Sequence, residues 1–374
     1  MKVLCIVDNL SIISGVASIV MNLYRNIDMQ RIQMDFLVCN KQKDSFENEI
    51  VSNGGGVFYT GNFLSPSQIF TAISNTKKFF HEHGKDYDVA HLHTPTLAMF
   101  TMKYAKEAGI PIRIVHSHST MMSTNNLKNI INKYLIKQIK KYCNTFCACS
   151  TEAAQFLFGA DFCKTHHIEL IHNAVECSKF TYIPQIAEEM RKELNVEGCV
   201  VFSHISNYSP IKNHMFLLDV MERFLNTERK VKFLFVGDGI TREDFERQID
   251  LRGLRQLCIF VDKTSEVAKY LYASDAAILP SLKEGLPVTL VESQAVGLPF
   301  FTSDTVTREV QIGQGNFIAL EADKWYEVLS SFEPLSVQER LDYSYAFEKS
   351  VFNIRIEAER VTKWYENLVL EEES

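Results

Sequence analysis

The sequence predicts an α/β protein with two domains, each built on a parallel, doubly wound sheet. Short apolar runs that are typical of buried strands alternate with amphipathic helices along most of the chain. The chain has 374 residues, which is long for one hydrophobic core and makes two domains the default expectation. The two halves differ in charge, with basic residues in excess in the first half and acidic residues in the second. This asymmetry suggests that the first half faces an anionic partner.

The first half alternates strands and helices from its first residues. The predicted strands are Lys2–Val7, Met34–Cys39, Gly54–Thr60, Tyr87–His93, Ile112–Val115, Thr145–Ser150 and Ile168–Ile171. The predicted helices are Ala17–Asn26, Ser67–His83 and Leu97–Ala108. Gly15 lies in the polar loop after the first strand, where it either permits a tight turn or lets a ligand approach the backbone. The loop lacks the complete glycine pattern of a dinucleotide site.

Four histidines, His91, His93, His116 and His118, fall at the carboxyl ends of two strands. Ligands bind at this edge of open parallel sheets. Two His-x-His pairs at one edge therefore favour ligand contact by at least one of them over a purely structural role. A metal is the weaker interpretation, because no carboxylate accompanies them at ligand spacing, and we expect no metal site.

The most basic predicted helix is Asn126–Tyr142. It is either a solvated surface helix or a contact with an anionic membrane surface or acceptor. It lacks the interleaved aromatic residues of a nucleic-acid surface. No apolar run is long enough to cross a membrane, and the nine cysteines show no paired zinc-like spacing. We expect free thiols and a cytoplasmic protein, with this helix as the candidate for peripheral contact with the inner face of the membrane.

The second half repeats the alternation of strands and helices. Its predicted strands are Val200–Ser206, Lys232–Val236, Cys258–Val261, Ala276–Pro280 and Pro299–Ser303. Its predicted helices are Met215–Leu225, Thr241–Arg252, Glu266–Ala273 and Val288–Val296, followed by a final helix over Ile354–Leu370. Lys212 lies in the polar loop before the first of these helices, where it would reinforce an anion site at the helix start.

The stretch from residue 281 to 299 contains Glu284 and Glu292 around the start of a predicted helix. Pro287 suits the first helical position, and Gly297 suits the position after the helix end. The free N–H groups of a helix start bind anions, and carboxylates accept from hydroxyl groups, so the pattern fits a phosphorylated sugar. The alternative is a solvated glutamate on a loop and a second one decorating the helix.

The segment PSLKEGLPVTLVESQAVGLP resembles the signature of retaining family 4 glycosyltransferases of the GT-B fold, and the chain looks most like their bacterial capsule and exopolysaccharide branch. Further motifs match in the expected order along most of the chain. They are Ser14-Gly15, His116-x-His118, Asn173, Pro210-x-Lys212-Asn213, Val236-Gly237-Asp238-Gly239 and Ala273-Ser274-Asp275.

The resemblance implies two Rossmann-like domains facing across a cleft. Residues 1–175 would form the acceptor-side domain and residues 176–352 the nucleotide-sugar domain. Residues 353–374 would form a helix that crosses back to the first domain. The implied activity is transfer of a hexose from a nucleotide sugar, most simply a UDP-sugar, to a glycan or lipid-linked acceptor in surface polysaccharide synthesis. No cofactor and no metal are implied.

The resemblance also assigns roles to individual residues. Glu292 would hold the ribose hydroxyls, Lys212 would neutralise the diphosphate, and His118 would lie near the transferred sugar. Gly15 would bring backbone close to the phosphate. Glu284 would hold the sugar and phosphate together with the backbone of five residues that follow it, Gly285, Leu286, Pro287, Val288 and Thr289.

Two positions depart from the family pattern. Asn207 occupies the position of an arginine that usually pairs with the diphosphate, and an amide cannot make the bidentate contacts of a guanidinium. Asp262 occupies the position of a glycine near the nucleobase. These departures support an alternative, a non-catalytic partner subunit with weakened donor binding. A sugar-nucleotide epimerase or phosphorylase of the same fold is a third interpretation, which the spacing of Glu284 and Glu292 disfavours.

Overall fold

The computed structural model describes residues 1–63, 65–120 and 134–373. They form two compact units. The first unit comprises Met1–Ala174 and the C-terminal segment from Ile354, and the second unit comprises Val175–Asn353. Each unit is a parallel β-sheet with helices, so the predicted α/β class is confirmed for both.

The first unit contains a seven-stranded parallel sheet in the order β3-β2-β1-β4-β5-β6-β7. Its strands are β1 Lys2–Val7, β2 Gln33–Val38, β3 Val57–Tyr59, β4 Val89–Leu92, β5 Ile112–Ser117, β6 Thr145–Ala148 and β7 Glu169–Leu170. Its helices up to residue 174 are α1 Gly15–Asn26, α2 Glu47–Ser52, α3 Ile69–His83, α4 Met102–Glu107, α5 Ile139–Tyr142, α6 Thr151–Phe158 and α7 Ala160–Thr165. The strand order reverses between β1 and β4, which creates a switch point at their carboxyl ends.

The second unit contains a six-stranded parallel sheet in the order β10-β9-β8-β11-β12-β13. Its strands are β8 Val200–Ile205, β9 Val231–Val236, β10 Cys258–Val261, β11 Ala276–Leu279, β12 Phe300–Ser303 and β13 Gly315–Ile318. Its helices are α8 Pro184–Glu193, α9 His214–Glu222, α10 Arg242–Leu251, α11 Val267–Ala273, α12 Val288–Ala295, α13 Ala322–Ser331 and α14 Val337–Phe347. Here the strand order reverses between β8 and β11.

The central strands are almost wholly apolar because helices cover both faces of each sheet. Residues Val3–Val7 of β1 are buried, and so are Phe233–Val236 of β9. The core of the second unit is rich in aromatic side chains, including Phe202, Phe245 and Trp325. Burial on both faces explains why these strands read as continuous apolar runs rather than as alternating patterns.

The last helix, α15 Ile354–Glu373, belongs to the first unit. Ala358, Val361 and Tyr365 on this helix are fully buried in the core that contains β1 and α1. The Tyr365 hydroxyl lies 2.6 Å from Nδ1 of His91 in β4. The final helix predicted over Ile354–Leu370 is therefore confirmed, and it completes a core whose other members come from residues 3–171.

Several predicted elements differ from the observed ones. The helix expected over residues 97–108 is a 3₁₀ turn at Pro95–Leu97 followed by the short α4. Proline at the first position of that turn and the absence of a side-chain cap on α4 fit this division. Strand β13 and helices α2, α6, α7, α13 and α14 were not predicted.

Candidate active site

The loop between β11 and α12 is held firmly at both ends. Leu282 N–H donates to the carbonyl oxygen of Ile211 at 2.8 Å, and the hydroxyl of Ser303 donates to the carbonyl of Ser281. Gly285, Leu286 and Pro287, three residues in front of the helix, are buried. The backbone that presents the predicted phosphate contacts is therefore fixed by packing.

Pro287 is the N-cap of α12, with φ −73° and ψ 110°. Its predicted place as the first helical residue is wrong by one position, because its backbone is extended rather than helical. Helix α12 begins at Val288. The end of the helix agrees with the prediction, since Gly297 adopts φ +72° directly after the cap residue Val296.

The start of α12 exposes hydrogen-bond donors. The backbone N–H groups of Val288 and Thr289 donate to no residue that the structure describes. The Thr289 hydroxyl donates to the carbonyl of Ile205 at 3.0 Å, which ties the helix start to the end of β8. Unpaired N–H groups and the positive end of the helix dipole make this position suited to an anion.

Lys212 and Glu284 form an ion pair. Lys212 Nζ lies 2.6 Å from Glu284 Oε1, and the two side chains are only 18% and 13% exposed. Lys212 ends a 3₁₀ turn, and Asn213 follows it in the left-handed conformation with φ +56°. The Asn213 amide donates to the carbonyl of Pro280 at 3.1 Å, which fixes the turn against the end of β11. The structure thus brings together two of the residues that the sequence predicted for the site.

Glu292 lies one turn into α12 and is partly buried. Burial raises the pKa of its carboxyl group to about 7. None of the described residues pairs with this carboxyl group. Its protonation state therefore changes near neutral pH, and its oxygens remain available to a ligand.

Asn207 is exposed in the loop after β8. Buried histidines support the loop: the Ser206 hydroxyl lies 3.1 Å from His204 Nε2, and His214 stacks on Tyr208 with ring centroids 4.1 Å apart. A Cβ at Gly237 would approach the carbonyl oxygen of Ser206 to 2.0 Å, so only glycine fits there. Asn207 itself accepts from Ser209, whose N–H lies 3.0 Å from its carbonyl oxygen and whose hydroxyl lies 3.3 Å from its Oδ1.

Arg242 is a residue that the sequence analysis missed. Its guanidinium donates to Asp262 at 2.6 Å and to the carbonyl of Gly237 at 3.0 Å, and lies over the ring of Tyr208 at 5.8 Å. The pKa of Arg242 is raised, mainly because its guanidinium donates a hydrogen bond to the Glu246 carboxylate. The spacing of Arg242 and Glu246 on one helix face was the available signal. Asp262, which departs from the family pattern, thus forms an ion pair with Arg242.

Gly15 is the first residue of α1, and the Ser14 hydroxyl caps this helix by accepting from Ala17 N–H at 3.4 Å. Gly15 is not in the left-handed region, so its backbone conformation does not itself require glycine. A Cβ on Gly15 would meet no atom within 4 Å. The backbone is therefore open on this side, and contact with a ligand stays a prediction.

The four predicted histidines, His91, His93, His116 and His118, form one cluster in the first unit. His93 Nδ1 lies 2.9 Å from His118 Nε2, and the rings of His116 and His118 stack with centroids 3.8 Å apart. Burial lowers the pKa of His118 to about 4 and that of His91 to about 3. The imidazoles are therefore neutral at pH 7, and the prediction that both His-x-His pairs meet at one edge is confirmed.

Residues 126–133 of the predicted basic helix lie outside the described residues. Ile139–Tyr142 is helical, and Lys140 Nζ lies 4.1 Å from the ring centroid of Phe162. Across the described ranges, no helix has both the length and the apolar character needed to cross a membrane.

The whole chain shares its fold with Anabaena Alr3699/HepE, solved in complex with UDP-glucose, at a TM-score of 0.72 and 15% identity, over 99% of this chain and 98% of the other. The two parallel α/β units thus have the GT-B fold. Residues 13–179 match the model for Glycosyltransferase Family 4, and residues 199–330 match that for Glycosyl transferases group 1.

Two bacterial relatives extend the match. EpsF of Bacillus subtilis is 30% identical over 304 residues, 80% of this chain and 79% of the relative. The capsular polysaccharide biosynthesis glycosyltransferase CapH of Staphylococcus aureus is 24% identical over 286 residues, 72% of this chain and 74% of the relative. The chain belongs to glycosyltransferase family 4.

Proposed function

We propose that this glycosyltransferase moves a hexose from a UDP-sugar to a glycan or lipid-linked acceptor in surface polysaccharide synthesis, with retention of the anomeric configuration. The observation that carries the proposal is the Lys212–Glu284 ion pair and the open N–H groups of Val288 and Thr289, both next to the loop that joins β11 to α12. A neighbour in fold was solved in complex with UDP-glucose, which makes UDP-sugars the first donors to test. Retention and the acceptor class follow from the family resemblance.

In this proposal the second unit holds the donor. The N–H groups at the start of α12 and the ammonium group of Lys212 bind the diphosphate, and the Glu284 carboxylate accepts from sugar hydroxyls. As the glycosidic bond breaks, negative charge develops on the leaving diphosphate. Fixed donors aimed at that charge stabilise it without further reorganisation. We propose that these protein groups, rather than a metal ion, supply the positive charge.

Lys212 has a second role in this scheme. In the free protein its charge is balanced by Glu284 at 2.6 Å, so the buried cation is not left unpaired. A diphosphate would provide Lys212 with a second anionic partner, and the Glu284 carboxylate would then accept from the sugar hydroxyls. For the first unit we propose that His118 and the open backbone at Gly15 contribute ligand contacts. We also propose that the chain works in the cytoplasm and contacts the membrane peripherally.

Binding of UDP tests the proposal directly. At a UDP concentration of about 100 times the dissociation constant, the added stability is about 2.7 kcal/mol, and we expect the melting temperature to rise by about 5 °C or more. Thermal unfolding and calorimetry with UDP, GDP and uridine would measure it. Uridine is the control, since it lacks the diphosphate that Lys212 would bind. No binding of UDP, GDP or their sugars would contradict the proposal and favour a non-catalytic subunit.

Binding of UDP-glucose should also depend on pH through Glu292. A carboxyl group with a raised pKa is protonated below about pH 7, and only its ionised form accepts from both ribose hydroxyls. We expect affinity to rise as the pH increases, by about tenfold between pH 6 and pH 8. His204 and His214 stay neutral throughout, because burial lowers the pKa of both well below 6.

UDP-glucose is the appropriate ligand for this titration, since a terminal phosphate has its own pKa near 6. Calorimetry at several pH values would give the profile, and Glu292→Gln should weaken binding and flatten it. Glu222→Gln, an exposed glutamate on α9, should leave the profile unchanged. An identical profile in Glu292→Gln would exclude Glu292 as the titrating group.

A further inference from the structure

The histidine cluster of the first unit is prepared by strand geometry. Strands β4 and β5 are parallel neighbours, and their register pairs Leu92 with Val115. His93 and His116 therefore fall opposite each other on adjacent strands, and His118 follows two residues later. Residues two apart on a strand share a face, so the sheet itself brings these imidazoles together.

Several ring nitrogens of the cluster are buried without a partner. Among the described residues, none forms a hydrogen bond with His93 Nε2, with either nitrogen of His116, or with His118 Nδ1. His93 and His116 are 5% and 1% exposed. A buried polar atom left unpaired costs about 1–3 kcal/mol. A neutral imidazole has one N–H group and one lone pair, so three such rings can direct three lone pairs at a single ligand.

We propose that His93, His116 and His118 bind a divalent transition-metal ion of the zinc class. One nitrogen from each ring lies within 4.8 Å of the other two. The 2.9 Å contact between His93 Nδ1 and His118 Nε2 is a hydrogen bond, and an ion bound through these two nitrogens would take the place of its proton. Zinc–nitrogen bonds of about 2.0–2.1 Å place two ligands of a tetrahedral ion about 3.4 Å apart, so these two nitrogens would have to separate. Three protein ligands leave a fourth position open, as in zinc sites that bind water or substrate.

The chemistry of the ligands selects the class of ion. Imidazole suits zinc, copper, iron and nickel, whereas calcium and magnesium require oxygen ligands. A histidine ligand must be neutral to bind a metal. Burial lowers the pKa values of all three side chains, so they meet this condition at pH 7.

A neighbouring set, His91, His116 and Cys147, has a similar spacing but suits a metal less well. His91 Nδ1 lies 2.6 Å from the Tyr365 hydroxyl, and His91 Nε2 lies 3.5 Å from Cys147 Sγ. Burial raises the pKa of the Cys147 thiol well above its ordinary value, and a metal requires the thiolate. Both nitrogens of His91 are thus engaged, and the sulfur is protonated.

The metal site goes beyond the proposed function and does not require it. The proposed function gives His118 a contact with the ligand, and an ion bound to this side chain would compete with that contact. We therefore place the ion outside the catalytic cycle, as one that binds the resting protein and crosslinks β4 with β5.

The test is direct metal binding by the full chain. After treatment with a chelator and its removal, the protein is titrated with Zn²⁺ against a metal-binding dye, and separately with Co²⁺, whose visible absorption is intense when it is four-coordinate. We expect one Zn²⁺ per chain and a Co²⁺ spectrum of the four-coordinate type. His118→Gln should weaken Zn²⁺ binding by more than about tenfold. His118 is the most exposed of the three ligands, so its replacement should disturb folding least.

Two control variants locate the ion. His81→Ala removes an exposed histidine on α3 and should leave binding unchanged. Cys147→Ser should also leave it unchanged, and a loss there with no loss in His118→Gln would overturn the proposal. No stoichiometric Zn²⁺ binding by the unmodified chain would overturn it too. Circular dichroism checks each variant, and His93→Gln replaces His118→Gln if the latter does not fold.

Discussion

Replacing Glu284 by Gln is expected to lower the rate of sugar transfer by about a thousandfold while the protein stays folded. The change keeps the shape of the side chain but removes the charge that lies 2.6 Å from Lys212. The proposed transition state then loses an anionic acceptor at the sugar. Because Lys212 stays in place, UDP binding should be preserved or strengthened. Steady-state transfer and UDP calorimetry on the same samples would show this division.

The complementary change, Lys212→Met, should reduce both transfer and UDP binding, since it removes the cation that would bind the diphosphate. Glu222→Gln is the matched control: it breaks the exposed pair of Arg252 and Glu222, whose side chains are 34% and 42% exposed. An exposed pair contributes little, so this control should transfer sugar normally. Full transfer activity in Glu284→Gln would refute the proposed mechanism.

Replacing Gly297 by Ala is expected to destabilise the second unit by about 3–5 kcal/mol. Two costs combine at this position. The backbone has φ +72°, which disfavours any side chain, and a Cβ would approach the carbonyl oxygen of Arg340 to 2.0 Å. Arg340 is a buried side chain that donates to four carbonyl groups of the second unit, those of Leu271, Tyr272, Ser274 and Val296. A shift of its backbone would disturb these bonds.

Gly198 provides a closely matched control. It has the same φ of +72°, but a Cβ there would meet nothing within 4 Å. Gly198→Ala should therefore cost only the conformational term, about 1–2 kcal/mol. Urea denaturation of both variants would measure the difference in the free energy of unfolding. Equal losses of unfolding free energy in the two variants would show that the close approach of the new Cβ to the Arg340 carbonyl oxygen adds no cost.

The sequence predicted most strands of both sheets because they are buried on both faces. An uninterrupted apolar run such as Phe233–Val236 leaves few alternatives to a buried strand. The strand that was missed, β13, is not buried on both faces. Strand β13, Gly315–Ile318, lies at the sheet edge and includes an exposed residue, Asn316. Its apolar signal is weak, and only pairing with β12 makes it a strand.

The candidate site could be predicted as a set of residues but not as an arrangement. Lys212 and Glu284 were each assigned from a local motif, yet they are 72 residues apart in sequence and their contact depends on the order of β8 and β11 in the sheet. Arg242 was missed because its local signal, the spacing to Glu246 on one helix face, is also that of an ordinary helix-surface arginine. Its contact with Asp262 arises only after two loops meet at the edge of the sheet.

The position of α15 also determines when the first unit can finish folding during synthesis. The second unit is one continuous segment, Val175–Asn353, whereas the first unit needs the last helix of the chain. Until that helix has left the ribosome, Arg31 lacks its partner Glu366 and His91 lacks Tyr365. Domains usually finish folding in the order in which they are made. Here the half that is translated first is expected to finish last, so a nascent chain that stops before α15 would carry an intact second unit and an unfinished first one.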